Sequence, residues 1–205
     1  MILPSAFDCF CFGNSASPHC LELFLDFTCP FSKKLFKTVY EQFFPWVQQN
    51  KNDIKFLFRS QVQPWHPSST LLHEAVLAVS KLSESQTINF TAQLFEHQEE
   101  YFDTALVQES RLETYKRLSV LAKNTTGIDP DKFMDLLYIE GTKIGEKGCN
   151  VGNKVTTDLK LLIRYSRGKS VHVSPTVFFN GVINDSISSS WTFDNFKEWY
   201  SKAME

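Results

Sequence analysis

The residues best placed to do chemistry are Cys29-Pro30-Phe31-Ser32. A cysteine attacks a disulfide as its thiolate, so what matters is whether the chain favours that form. Cys29 stands where an apolar run, residues 21–27, gives way to a helical pattern. Pro30 suits the first helical position, where its missing N–H is no loss. The N–H groups and dipole of the coming helix then point at the sulfur and favour its charged form. Ser32, three residues on, is expected to face Cys29 across the first turn and donate a hydrogen bond to it. A second cluster follows the next apolar run: Arg59, then Pro64-Trp65-His66-Pro67. Arg59 or His66 could favour a nearby thiolate or bind a carboxylate, and Trp65 could wall a groove. The same Pro-Trp-His-Pro run reads equally well as a rigid packed connection.

These residues need elements to hold them. Residues 21–27 (LELFLDF) read as a buried strand, and 32–49 place Leu35, Phe36, Val39, Tyr40, Phe43, Phe44 and Val47 on one helical face. Pro45 is expected to end or kink that helix. Residues 53–58 alternate as a second strand, so the unit is strand–helix–strand with a parallel crossover. Parallel strands end on the same side, which brings the 59–67 loop beside Cys29. Residues 68–168 then read as helices only: one from Ser68 or Ser69, others over 84–102 and 108–123, a short one opened by Asp129-Pro130, and a last one ending at Gly168. Residues 141–152, rich in glycine, read as a loop. Strands resume with Ser174-Pro175-Thr176 and a hairpin, Val177-Phe-Phe-Asn180-Gly181-Val-Ile183. Thr192 caps a final helix carrying Phe193, Phe196, Trp199 and Tyr200. The expected architecture is α/β: a discontinuous domain, 1–67 with 169–205, carrying an all-helical insertion, 68–168.

This order of motifs resembles the DsbA-like branch of the thioredoxin superfamily. The resemblance rests on C-P-x-x at a helix start, on Gly13-Asn14-Ser-Ala16-Ser-Pro18 before the first core strand, and on Ser174-Pro175-Thr176 opening the hairpin. It implies a thioredoxin-like fold, a central mixed sheet flanked by helices, with Cys29 as nucleophile. It also implies a cis Pro175, with the backbone at Ser174 pairing with an extended substrate. One departure is plain: redox members carry a second cysteine where this chain has Ser32. Monothiol chemistry is then expected, with Cys29 forming a mixed disulfide that glutathione or a protein thiol resolves. Glutathione is a co-substrate in this reading, and no bound cofactor is expected. Related branches, the kappa-class transferases and the hydroxychromene carboxylate isomerases, place a serine near the start of this helix and activate glutathione's thiolate. Arg59 or His66 would then meet a glutathione carboxylate. The alternative is a catalytically degenerate binding module that keeps the groove for extended peptides, with Cys29 incidental.

Composition narrows the rest. The 205 residues carry 21 basic and 23 acidic side chains, a net charge of 21 − 23 = −2, so the basic field of a general nucleic-acid binder is missing. No run approaches the roughly 18 apolar residues of a membrane span, and no secretory leader is visible, so a cytoplasmic, reducing location is expected. Five cysteines, an odd number, argue against a paired disulfide scaffold. Cys9 and Cys11 read as two core-facing thiols on a strand; Cys20 and Cys149 are remote candidates to resolve Cys29. The five histidines show no ligand spacing with the cysteines, so no metal is expected. The 19 phenylalanines promise a well-filled core, and no oligomeric state follows from the sequence.

Overall fold

The computed structural model describes residues 3–51, 53–141 and 147–204. Residues 1–2 of the leader reading and 142–146 of the glycine-rich stretch lie outside them. Five strands form one mixed sheet in the order β1-β3-β2-β4-β5. They are β1 (Cys11–Phe12), β2 (His19–Leu25), β3 (Ile54–Ser60), β4 (Thr176–Phe179) and β5 (Val182–Ile183). β2 and β3 run parallel from His19↔Ile54 to Leu25↔Ser60, as the strand–helix–strand unit requires. β1, β4 and β5 pair antiparallel with their neighbours. β2 is central and covered on both faces, so Leu21 to Leu25 are buried without alternation. β3 alternates: Ile54, Phe56, Phe58 and Ser60 are buried, and Lys55, Leu57 and Arg59 face the other way.

The helix after β2 runs from Pro30 to Asn50 through three segments. α1 (Pro30–Lys37) passes into a π-helical stretch, Thr38–Phe43, and then α2 (Phe44–Asn50). Pro45 therefore does not end the helix. Its ring would meet the carbonyl four residues back in a regular α-helix. The wider turn ahead of it, with the Phe44 N–H reaching the Val39 carbonyl, carries the chain past the proline.

Between β3 and β4 the chain is helical, as expected: α3 (Ser69–Leu82), α4 (Thr87–Glu96), α5 (Asp103–Leu106), α6 (Arg111–Thr126), α7 (Pro130–Leu137) and α8 (Thr156–Gly168). The helix expected over 84–102 is broken, because the chain leaves α4 at His97 and makes a separate 3-10 turn, Gln98–Tyr101. A Ser110–Glu113 capping box starts α6, and a Thr192–Asn195 box starts α9 (Phe193–Ala203). The β4–β5 turn places Asn180 at φ 50° and Gly181 at φ 82°, the left-handed pair a two-residue hairpin needs.

The strand expected around Cys9 is a 3-10 helix instead, Ser5–Phe10, which buries Phe7 and Phe10. Their spacing of three matches that helix's three residues per turn. Cys9 and Cys11 are both half-buried, and Cys9 packs against the core. Most of the phenylalanines join one aromatic seam, while Phe24 and Phe178 pack in a separate cluster. Phe27 lies 5.0 Å from Phe58 and 5.1 Å from Phe95, and Phe95 stacks on Phe36 at 4.8 Å. Each such ring contributes roughly 1.5–3 kcal/mol by leaving water.

Candidate active site

Cys29 is the N-cap residue of α1, with extended backbone angles (φ −87°, ψ 117°). Its N–H donates to the Asp26 carbonyl at 3.2 Å, and its carbonyl accepts the Lys33 N–H at 3.1 Å. The loop is thus closed at both ends around the residue. The Cys29 side chain is buried, at 5% exposure. Its Sγ donates to the Ser174 carbonyl at 3.5 Å, and Ser174–Pro175 is a cis peptide bond. Two segments 145 residues apart therefore meet at the sulfur.

Ser32 does not partner Cys29. It is fully buried, and its Oγ accepts the Asp26 N–H at 3.2 Å. The first turn of α1 directs this hydroxyl back to the end of β2, so the expected Ser32-to-Cys29 hydrogen bond is replaced by one that ties helix to strand.

Asp26 is the residue that the sequence reading passed over. Its carboxylate is fully buried and accepts from four donors. Oδ1 takes the Thr28 N–H at 2.8 Å and the Thr28 hydroxyl at 2.9 Å. Oδ2 takes the Gln63 N–H at 2.8 Å and meets His66 Nδ1 at 3.1 Å. One carboxylate thus holds the end of β2, the Cys29 loop and the β3–α3 loop together. An acidic residue closing an otherwise apolar run was the signal that could have found it.

His66 and Trp65 reach the site's surroundings by separate routes. His66 shares a cavity of about 190 Å³ with Thr28 and Pro30, the neighbours of Cys29. Trp65, 60% exposed, walls a different one of about 380 Å³ that runs toward Val171 and His172. Phe31 is 63% exposed on the outer side of the first turn, and Val173 is exposed beside the cis proline. Arg59 is absent from this surface. β3 continues to Ser60, so Arg59 is a strand residue on the face opposite Phe58 and Ser60, where its Nε donates to Glu22 at 2.8 Å. The loop beside Cys29 begins two residues later than expected.

Gln98, in the 3-10 turn after α4, is a second unforeseen member. Its buried amide donates to the Phe27 carbonyl at 2.6 Å and the Cys29 carbonyl at 2.9 Å. His73, fully buried, packs on Phe27 at 4.6 Å, and burial pushes its imidazole down to about 4, so it is neutral. All five cysteines are free. Cys20 is the second residue of β2 while Cys29 follows its far end, about 17 Å along the strand, and Cys149 is exposed. Among the described residues no group of three or more His, Cys, Asp or Glu could hold a metal ion, and no helix is long and apolar enough to cross a membrane.

No family model matches the chain, and no curated protein matches it in sequence. Solved structures do match. A protein-disulfide isomerase candidate from Pseudomonas syringae aligns at TM-score 0.72 and 22% identity, over 96% of this chain and 98% of that one. BdbD from Bacillus subtilis, in its oxidised form, aligns at 0.66 and 22% identity, over 94% and 91%. Chlamydia trachomatis DsbA aligns at 0.65 and 14% identity, over 95% and 91%. The chain has the DsbA-like thioredoxin fold with its helical insertion.

Proposed function

We propose, with the DsbA-like thioredoxin fold as the premise, that the protein performs thiol–disulfide exchange through Cys29 alone, on a polypeptide partner. The observation that carries this reading is the meeting of the Cys29 sulfur, at the start of α1, with the Ser174 carbonyl beside the cis proline. Ser32, buried and bonded to Asp26, stands where a resolving thiol would be. In the reaction the Cys29 thiolate attacks one sulfur of a partner disulfide. A Cys29–partner S–S bond forms as the old S–S bond breaks, and the departing thiolate takes a proton from water. A second thiol, glutathione or a protein cysteine, then attacks the partner's sulfur and Cys29 leaves as thiolate.

Phe31, exposed two residues from Cys29, and Val173, exposed beside Ser174, support an apolar stretch of polypeptide as the partner. The backbone at Ser174 would pair with it in extended form. With Arg59 turned to the other sheet face, it offers no contact to a glutathione carboxylate, which favours glutathione as resolving thiol over glutathione as substrate. Intact-mass analysis after incubation with oxidised glutathione, or with a disulfide-linked peptide, tests the reading. A mixed disulfide that maps to Cys29 is expected on the wild type, beside any on exposed Cys149, and none at position 29 in Cys29→Ala. Absence of any Cys29 adduct would overturn it, and partner binding that survives in Cys29→Ala would favour a non-covalent binding protein.

A further inference from the structure

The sheet face turned away from Cys29 carries a feature that thiol chemistry does not use. Alternation along β3 sends Lys55, Leu57 and Arg59 to that face, while Ile54, Phe56 and Phe58 enter the core beneath α1. These three residues contribute to the lining of a cleft of about 570 Å³, which Tyr165 of α8 and Phe7 of the N-terminal 3-10 turn also line. The floor therefore reads cation, apolar, cation, with aromatic rings among the other lining residues.

The charges there are unevenly compensated. Glu22 is buried and serves two cations at once, accepting from Arg59 Nε at 2.8 Å and from Lys169 Nζ at 2.8 Å, with the Tyr165 hydroxyl as a third donor at 2.9 Å. Arg59 spends only its Nε on this bond. Its guanidinium lies over the Tyr165 ring at 5.1 Å, and its two terminal nitrogens make no hydrogen bond among the described residues. Lys55 Nζ donates to the Ser15 carbonyl at 3.1 Å and has no carboxylate partner among the described residues. Asp8 is the one carboxylate among the described lining residues. With the adjoining Glu22 and Lys169 counted, Lys55, Arg59 and Lys169 against Glu22 and Asp8 is three charges against two, a net charge of +1, and among the described residues Lys55 has no ion-pair partner.

We propose that this cleft is a binding site for a small organic monoanion, a carboxylate with an apolar or aryl body. The carboxylate meets the free edge of Arg59 and the Lys55 ammonium, and the body lies along Leu57 between Phe7 and Tyr165. A guanidinium edge in a partly dry cleft is suited to that task, because charge-assisted hydrogen bonds to a carboxylate are about twice as strong as neutral ones. The site is independent of the proposed redox reading, since Cys29 lies on the other side of the sheet.

Calorimetric titration of the full chain with 4-phenylbutyrate, and with its uncharged amide as the comparator, tests the site. The acid is expected to bind about tenfold more tightly than the amide. Lys55→Met, which leaves no buried carboxylate unpaired, is expected to weaken the acid several-fold. Leu57→Glu, which puts a negative charge on the floor, is expected to abolish binding, and Cys29→Ala to leave it unchanged. Equal binding of acid and amide, no heat with millimolar acid, or acid binding indifferent to both Lys55→Met and Leu57→Glu would overturn the proposal.

Discussion

Replacing Gln98 by methionine keeps nearly the shape of the side chain and removes both of its donors. The Phe27 carbonyl is then left without a donor among the described residues, whereas the Cys29 carbonyl keeps the Lys33 N–H. A buried orphaned carbonyl costs about 1–3 kcal/mol, and loss of the second, partly redundant bond adds about 0.5–1.5 kcal/mol. The expected loss of stability is therefore roughly 2–4 kcal/mol. For a chain of this size each kcal/mol lowers Tm by about 2–4 °C, so a fall of roughly 5–15 °C follows. Urea unfolding at neutral pH, followed by circular dichroism, measures it, with an unchanged denaturant slope expected. Because Gln98 holds the turn that presents Cys29, alkylation of that sulfur is also expected to change in rate. Gln98→Glu should be worse still, since it faces a carboxylate oxygen toward two carbonyls. A Gln98→Met protein within about 0.5 kcal/mol of wild type, the ordinary range for surface changes, would refute the reasoning and make the two hydrogen bonds incidental.

Other outcomes follow from the same geometry. His73 has its imidazole lowered by burial from 6.5 to about 4, so below pH 6.5 the unfolded chain takes up a proton that the folded one refuses. Stability should therefore fall as pH drops from about 6.5 to about 4, by on the order of 3 kcal/mol from this group, and then level off. His73→Leu should flatten that part of the pH profile; urea midpoints for both proteins at several pH values decide it. Ser32→Cys introduces a second thiol one turn from Cys29 and is expected to give, on oxidation, an internal disulfide read as the loss of two protons and two electrons in intact mass. The same change weakens the Asp26 N–H bond to position 32 and should cost about 1 kcal/mol in the reduced state. Gly181→Val forces a β-branched residue to φ 82° and should destabilise the hairpin by about 1–2 kcal/mol, measured by thermal melting.

Local patterns made most of the scaffold legible. The alternation of Ile54, Phe56 and Phe58, the Asn180-Gly181 pair and the Thr192 cap each encode structure within a few residues, and each element formed as expected. The parallel pairing of β2 with β3 followed from the helix between them. What the sequence hid depends on distant partners. Ser32 is adjacent to Cys29 in any helical drawing, yet its hydroxyl is claimed by the Asp26 backbone. Arg59 moved out of the site because β3 is two residues longer than its apolar alternation, and strand parity then assigns it to the opposite face. Gln98 was invisible as a site residue because its role lies in two backbone carbonyls, which every sequence contains, whereas Asp26 showed only as an acidic residue at the end of an apolar run, with no sign of its distant partners Gln63 and His66. Pro45 left open whether the helix would end or kink, and the π-helical stretch that carries the chain past it has no local pattern as plain as that of the proline.

The aromatic seam bears on how the molecule comes apart. Phe95, from α4, sits against Phe27 in the turn after β2, Phe36 of α1 and Phe58 of β3. A polypeptide cut out at the ends of the helical stretch would expose Phe95 and strand the other three rings in water. The insertion is thus a unit of chain topology without being a unit of cooperativity. Calorimetry should record one endotherm for the whole molecule, and hydrogen exchange should protect α3 and α4 together with β2 and β3.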